Sequence, residues 1–223
     1  MDGNFASMRQ SIIDGAPERA SALASEALAQ GHHPLELIDN GFAPGMTEVG
    51  QLFAKHQMFL PDMLAAAEAM KAAMAVLEPA LRRHGEERPF AGTVILGTTK
   101  GDIHEIGKTL VGTLLAANGF KVHDLGVDVS PEKFVDKAGE FKAEIIGVSA
   151  LLTTTMRNQK SVVEALQRAG LGAAVKIIVG GAPVTQRWAD EIGADGYAKD
   201  AISAVALVRS LLEHKLTPAA ATL

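Results

Sequence analysis

From residue 93 onward the chain repeats one pattern five times: a short apolar run, then a longer stretch with helical spacing. The runs fall at residues 93–96, 121–124, 145–149, 176–179 and 196–198, and the helices after them are expected to start near Glu105, Pro131, Thr155, Pro183 and Ala201. Runs that stay apolar instead of alternating have to be covered on both faces, and helical crossovers join such strands in parallel. The expected fold is a flavodoxin-like or Rossmann-like five-stranded parallel sheet with flanking helices. Sheets of this kind bind ligands outside the carboxyl ends of their strands, where the strand order reverses. The loops after the first, third and fourth strands meet there.

Residues 5–83 read differently. Gly15, Pro17, Gly31, Pro34 and Pro61 punctuate them into four helices. Ala20, Leu23, Ala24, Ala27 and Leu28 recur at helical spacing, as do Leu64, Ala67, Met70, Met74 and Leu77, which gives the apolar faces of a small bundle. The stretch from Arg82 to Phe90 is polar and interrupted by Gly85 and Pro89. The expected organisation is a helical bundle over 1–83, a linker over 84–91, an α/β domain over 92–216 and a flexible tail over 217–223.

Composition removes several function classes. The net charge is -5, with no basic run able to neutralise a phosphate backbone, so nucleic acid is not an expected partner. No apolar run approaches the roughly 20 residues that span a bilayer, and Met1, Asp2, Gly3 and Asn4 lack the basic start of a secretion signal. No membrane association and a cytoplasmic location are expected. There is no cysteine, so any metal is held by His or carboxylate.

The loop after the first strand, Gly101 to Thr109, carries the chemistry. It ends in Gly107, Lys108 and Thr109 like a phosphate-binding loop, but Asp102 occupies the position that needs a glycine, and Gly101 is one residue too far away. Side chains and carboxylates fill the place where bare amides would meet an anion. A phospho-receiver domain would need an Asp after the third strand, which ends instead in Ser149. The remaining reading is a pair: Asp102 lies two residues before His104, near enough to hold one ring nitrogen while the other serves as a metal ligand. Plainer roles also exist. Asp102 caps helices well, Gly107 suits close helix packing, and a lone histidine is commonly a surface residue.

Taken together, Asp102-x-His104-x-x-Gly107, Ser149-x-Leu151 after the third strand and Gly180-Gly181 after the fourth resemble the cobalamin-binding domain shared by methionine synthase and the corrinoid methyl-carrier proteins. The resemblance extends to the bundle, where Gly45 to Phe53 and Met58 to Pro61 are similar to the helical cap of those proteins.

The resemblance implies a cofactor, cobalamin, that alternates between methylcobalamin and cob(I)alamin. Its own base would leave cobalt, and His104 would take the vacated axial position. The nucleotide tail would occupy a slot lined by Ser149, Leu151, Thr153, Gly180, Gly181 and Ala182, beside Ile103 and Gly107, with Gly112 allowing close approach. Asp102 and Thr155 would extend a proton relay behind His104, Thr155 standing where methionine synthase has a serine. Phe53 and Leu60 would shield the upper face of the cobalt.

The implied role is a methyl carrier, not a complete enzyme. Implied partners are a donor-specific methyltransferase, a second methyltransferase with tetrahydrofolate or a thiol as acceptor, and a reductive activase. The methyl donor stays open among methylamines, methanol, betaines and aryl methyl ethers. Two alternatives share the motifs: a cobalamin-dependent sensor, disfavoured because no helix is a basic recognition element, and the B12-binding subunit of a split methionine synthase. His32, His33, His56, His84, His123 and His214 are expected on the surface or in the linker, and Lys100 and Glu105 flank the site without a role.

Overall fold

The structure is a computed structural model that describes residues 2–83 and 91–216. The expected linker lies outside the described residues except for Ala91, as do the expected tail, His84 and the side chain of His214. The chain forms two compact units, Met1–Pro89 and Phe90–Leu223.

The first unit is helical: α1 (Asp2–Ile13), α2 (Pro17–Ala29), α3 (Pro34–Glu36), α4 (Ala43–Ala54) and α5 (Leu60–Arg83). A π-helical stretch, Leu37–Phe42, joins α3 to α4 in one rod, so the described residues form four rods. The wide turn falls just before Pro44, which offers no amide proton and whose ring crowds a normal α turn. Pro17 and Pro34 open α2 and α3 at the position where the missing amide costs nothing. The core is built on Met8, Ile12, Leu37, Ile38, Phe42 and Leu77, all fully buried. The packed pair α2 and α5 bury alanines, Ala20, Ala24 and Ala27 on one helix and Ala66, Ala69 and Ala73 on the other. Leu64, expected in that stripe, is exposed and joins Phe59 and Leu60 as apolar surface at the start of α5.

The second unit holds β1 (Thr93–Thr98), β2 (Lys121–Asp124), β3 (Ile145–Ser149), β4 (Lys176–Gly180) and β5 (Gly196–Ala198) in one sheet, order β2-β1-β3-β4-β5, with every neighbouring pair parallel. The helices between them are α6 (Ile106–Ala117), α7 (Pro131–Phe141), α8 (Thr153–Arg168), α9 (Gln186–Ile192) and α10 (Ala201–Leu216). Successive strand residues serve opposite faces. Ile95, Ile146 and Val148 pack with Phe134, Val163 and Leu166 in one cluster, while Val94, Leu96 and Ile145 pack with Leu115 and Val208 in the other. The sheet is thus covered on both sides, as its apolar strands require. The chain leaves β1 towards β2 on one side and then returns to β3 on the other, so the strand order reverses between β1 and β3.

Two helix starts differ from expectation. The first turn of α8 begins at Thr153, ahead of Thr155. Residues 181–184 form a turn closed by the Val184 amide on the Gly181 carbonyl, and Thr185 accepts from the Trp188 amide, so α9 begins at Gln186 instead of Pro183.

Candidate functional site

The loop from Thr99 to Glu105 leaves β1 at the point of strand reversal. A turn closes from the Asp102 amide to the Thr99 carbonyl at 3.1 Å, with Gly101 at φ +80°. This aims the Asp102 side chain inward, where it is 1% exposed. Its two oxygens divide the work. Oδ1 lies 2.7 Å from Nδ1 of His104 and accepts from the His104 amide at 3.1 Å. Oδ2 accepts from the Leu151 amide at 2.8 Å and from the Thr155 hydroxyl at 2.6 Å. The His104 carbonyl in turn accepts from the buried Thr98 hydroxyl at 2.7 Å.

Burial alone would push the Asp102 carboxyl up, but bonds from Thr155, the Leu151 amide and the ring and amide of His104 together hold it well below the usual carboxylate range. The carboxylate is therefore ionised and accepts only, so the proton between it and the ring sits on Nδ1. That leaves the lone pair of a neutral His104 on Nε2, the arrangement of a metal-ligating histidine. Asp102 is not a helix cap: α6 starts at Ile106 with Glu105 before it, and the carboxylate is committed to His104, Leu151 and Thr155. The Thr155 hydroxyl has one proton and two acceptors, Asp102 at 2.6 Å and the Leu152 carbonyl at 3.0 Å.

Beside His104 lies a cavity of about 700 Å³. Ile103, His104 and Gly107 line it from the first loop, Ser149 and Leu151 from the second, and Gly180, Gly181 and Ala182 from the third. Thr153 is exposed and off this wall. Gly181 is at φ +127°, and a Cβ there would lie 1.7 Å from the Ala150 carbonyl oxygen, so only glycine lets these two loops touch. Gly107 is the opposite case. A Cβ on it would meet nothing within 4 Å, so its missing side chain leaves open space on the cavity wall and does not serve helix packing. Gly112 is not part of the wall; a Cβ there would press on Leu96 at 3.3 Å.

Several residues of the site lack a sequence signature. Lys108, the lysine of the apparent phosphate loop, is buried on the cavity wall and paired with Asp124, which also accepts from the Gly126 amide. The far wall comes from the β5–α10 connection, Lys199 and Asp200, and from Ala201 and Ala204. Gln159, fully buried, donates to the carbonyls of Val148 at 2.9 Å and Gly180 at 3.1 Å and accepts from the Trp188 ring at 3.0 Å. It fixes the carboxyl ends of β3 and β4 beneath the loops that line the cavity. His123 is no surface residue: it is half-buried and stacked on Phe141 with ring centroids 3.8 Å apart, and burial, then Lys121, lowers its pKa despite Glu140.

In the helical unit Phe53 is half-buried and Leu60 exposed, so neither belongs to that unit's core. Among the described residues no helix is long and apolar enough to cross a membrane.

A single imidazole, held by a buried carboxylate, suits a metal whose other positions are already filled. Among the described residues no group of three or more His, Asp or Glu assembles around it. A cavity wall left open at Gly107 and a largely apolar lining next to that imidazole suit a bulky, metal-bearing organic cofactor. The class defined by fold and site is a flavodoxin-like cofactor-binding domain with one histidine, held by a buried carboxylate, at the switch point.

Comparison with known proteins gives the family. A family model described as the B12 binding domain matches residues 92–206, and a second of the same description matches residues 5–78. Trimethylamine corrinoid protein 1 of Methanosarcina acetivorans is 50% identical over 208 residues, 93% of this chain and 96% of that protein. Dimethylamine corrinoid protein 1 of Methanosarcina mazei is 48% identical over 192 residues, 86% of this chain and 88% of that one. Among solved structures, a chain of the methanol:cobalamin methyltransferase complex of Methanosarcina barkeri superposes with a TM-score of 0.85 at 29% identity, covering 95% of this chain and 80% of that one. The chain belongs to the B12-binding corrinoid proteins, and its cofactor is cobalamin.

Proposed function

We propose that the chain carries a methyl group on cobalamin between two methyltransferases, and that His104 Nε2 would hold the cobalt in place of the cofactor's own base. The observation that carries this reading is the bonded series His104, Asp102, Thr155 at the carboxyl edge of the sheet, next to a cavity for the displaced tail. Bound cobalt supplies the centre that takes up and gives away the methyl group. The protein's part is to present and withdraw one imidazole.

Asp102 keeps the Nδ1 proton in place and orients the ring, and the Leu151 amide and Thr155 hydroxyl keep that carboxylate ionised and still. A proton taken up at Nε2 when its lone pair is not engaged would come from solvent, and the Asp102 carboxylate would face the ring that carries it. The route is through His104 itself: its side chain is 46% exposed, whereas Asp102 and Thr155 are sealed at 1% and 7%. Thr155 therefore anchors the carboxylate, and protons exchange at the ring.

The cavity walls formed by Ser149, Leu151, Gly180, Gly181 and Ala182 would take the nucleotide tail. Thr153, off that wall, would meet the cofactor only outside the cavity. Phe53 and Leu60, not used by the core of the helical unit, are assigned to shielding the upper face. Relatives named for trimethylamine and dimethylamine support a methylated amine as donor. The donor-specific methyltransferase, a second methyltransferase acting on tetrahydrofolate or a thiol, and a reductive activase complete the proposed system.

The test is to mix reduced, cobalamin-loaded protein with a methylamine methyltransferase and its amine and follow the absorption spectrum. Conversion to the methylated form that depends on the amine is expected. No conversion with mono-, di- or trimethylamine or methanol and their methyltransferases would reject the carrier role.

A further inference from the structure

Besides its own Thr99–Asp102 turn, the loop that presents Asp102 and His104 is held from outside, chiefly by one residue of the β2–α7 connection. Asp128 Oδ1 accepts from the Gly101 amide at 2.8 Å, Oδ2 accepts from the Lys100 ammonium at 3.0 Å, and the Asp128 amide donates to the Asp102 carbonyl at 2.9 Å. From the other side, Asn158 of α8 donates to the Lys100 carbonyl at 2.7 Å. Residues 100–102 are thus clasped between two neighbours.

To reach them, Asp128 adopts φ +54°, a left-handed conformation uncommon outside glycine. Gly126, two residues earlier, has the same sign of φ at +87°. Conformation alone would favour glycine at 128 as well. Asp is one of the few other residue types that adopt it, and here its carboxylate is spent on the Gly101 amide. The two carboxylate contacts are not equal. Lys100 and Asp128 are 57% and 47% exposed, so their ion pair is weak in water, and the bond to the Gly101 amide does the holding.

We infer that Asp128 is a positioning residue for the axial histidine: it fixes the 100–102 turn, and with it the carboxylate that orients His104. This rests on the proposed ligation by His104 Nε2. Asp128 is not bonded to the His104 ring and does not line the cavity; it acts on the backbone of Gly101 and Asp102.

The test uses the full chain labelled with nitrogen-15 only in histidine and loaded with cob(II)alamin, read by electron paramagnetic resonance across pH. A histidine ligand splits the cobalt lines into doublets, whereas the cofactor's own base, at natural abundance, gives triplets. The wild type is expected to show doublets. Asp128→Gly relieves the backbone and keeps the fold, yet should lower the ratio of His-bound to His-free cobalt roughly tenfold, raising the pH of half-loss of the doublet by about one unit. Asp128→Asn, whose amide oxygen still accepts from Gly101, should restore most of that loss, and Lys100→Ala should stay within about twofold of wild type. A wild-type midpoint in Asp128→Gly, or equal loss in Asp128→Gly and Asp128→Asn, would overturn the inference while leaving His104 ligation standing. Absence of doublets in the wild type would overturn both.

Discussion

Nδ1 of His104 and Oδ1 of Asp102 lie 2.7 Å apart, yet the two residues face different surroundings: the histidine side chain is 46% exposed and the aspartate sealed. Every lone-pair direction that matters on Asp102 meets a donor, two from His104, one from Leu151 and one from Thr155. An amide in its place cannot satisfy that set. In Asp102→Asn, one orientation turns the NH₂ towards Leu151 and Thr155, and the other turns it towards His104. The first strands buried donors, and the second forces the proton off Nδ1 and onto Nε2. Asp102→Asn should therefore lose about 1–3 kcal/mol in urea unfolding and also weaken histidine ligation. Wild-type stability with unchanged ligation would contradict this.

Asp102 also sets an acid limit. Its carboxyl lies below its ordinary value in the folded chain, so the unfolded state binds the proton more readily. Its contribution to stability is complete above the ordinary aspartate value of 3.8 and fades as pH falls below that towards the folded value. Acid unfolding of the wild type should carry this component, and Asp102→Asn should lack it. Parallel acid profiles for the two proteins would count against the assignment.

Two glycines of the site should respond in opposite ways. Gly181→Ala forces a Cβ within 1.7 Å of the Ala150 oxygen at a φ of +127°, which should cost more than about 3 kcal/mol or prevent folding. Gly107→Ala meets open space in the first turn of α6 and should leave stability equal or up to about 1 kcal/mol higher. A bulky Gly107→Phe would fill cavity space and lower cobalamin retention without unfolding the chain. Thermal melts and the cobalt-to-protein ratio after gel filtration separate these outcomes.

The shielding role proposed for the helical unit is tested on Phe53. Because Phe53 is only half-buried, Phe53→Ala should cost less than the 3–5 kcal/mol or so typical of a buried phenylalanine. It should nevertheless speed photolysis of bound methylcobalamin and oxidation of the reduced cofactor. Equal rates in mutant and wild type would argue against shielding.

The centre of the sheet was readable because burial on both faces makes its strands apolar, which is why 145–149 matches β3 at both ends; 121–124 and 196–198 also match, although β2, at the sheet edge, is exposed at both its ends. Strands β1 and β4 run further than expected, through Gly97 and Thr98 and through Gly180, where pairing continues although the residues look like loop. Asp102 and His104 were legible because two residues of spacing suffice to join them. The other partners of Asp102 were harder to see: Leu151 contributes a backbone amide, which any residue has, and Asp128 sits in a strand-to-helix connection with no motif of its own. Gln159 carries no motif, and only packing against β3, β4 and Trp188 makes it a buried brace. Short β5 gave no hint that its following loop closes the cavity.

The central claim is that His104 Nε2 ligates cobalt. Its most direct measurement is the absorption spectrum of methylcobalamin bound to the wild type and to His104→Ala. The substitution lies in an irregular loop with a half-exposed side chain, so the fold should persist, checked by circular dichroism. The wild type is predicted to show the nitrogen-ligated spectrum, and His104→Ala the blue-shifted base-off spectrum of cobalt without a lower nitrogen. Identical spectra from the two proteins would contradict the account.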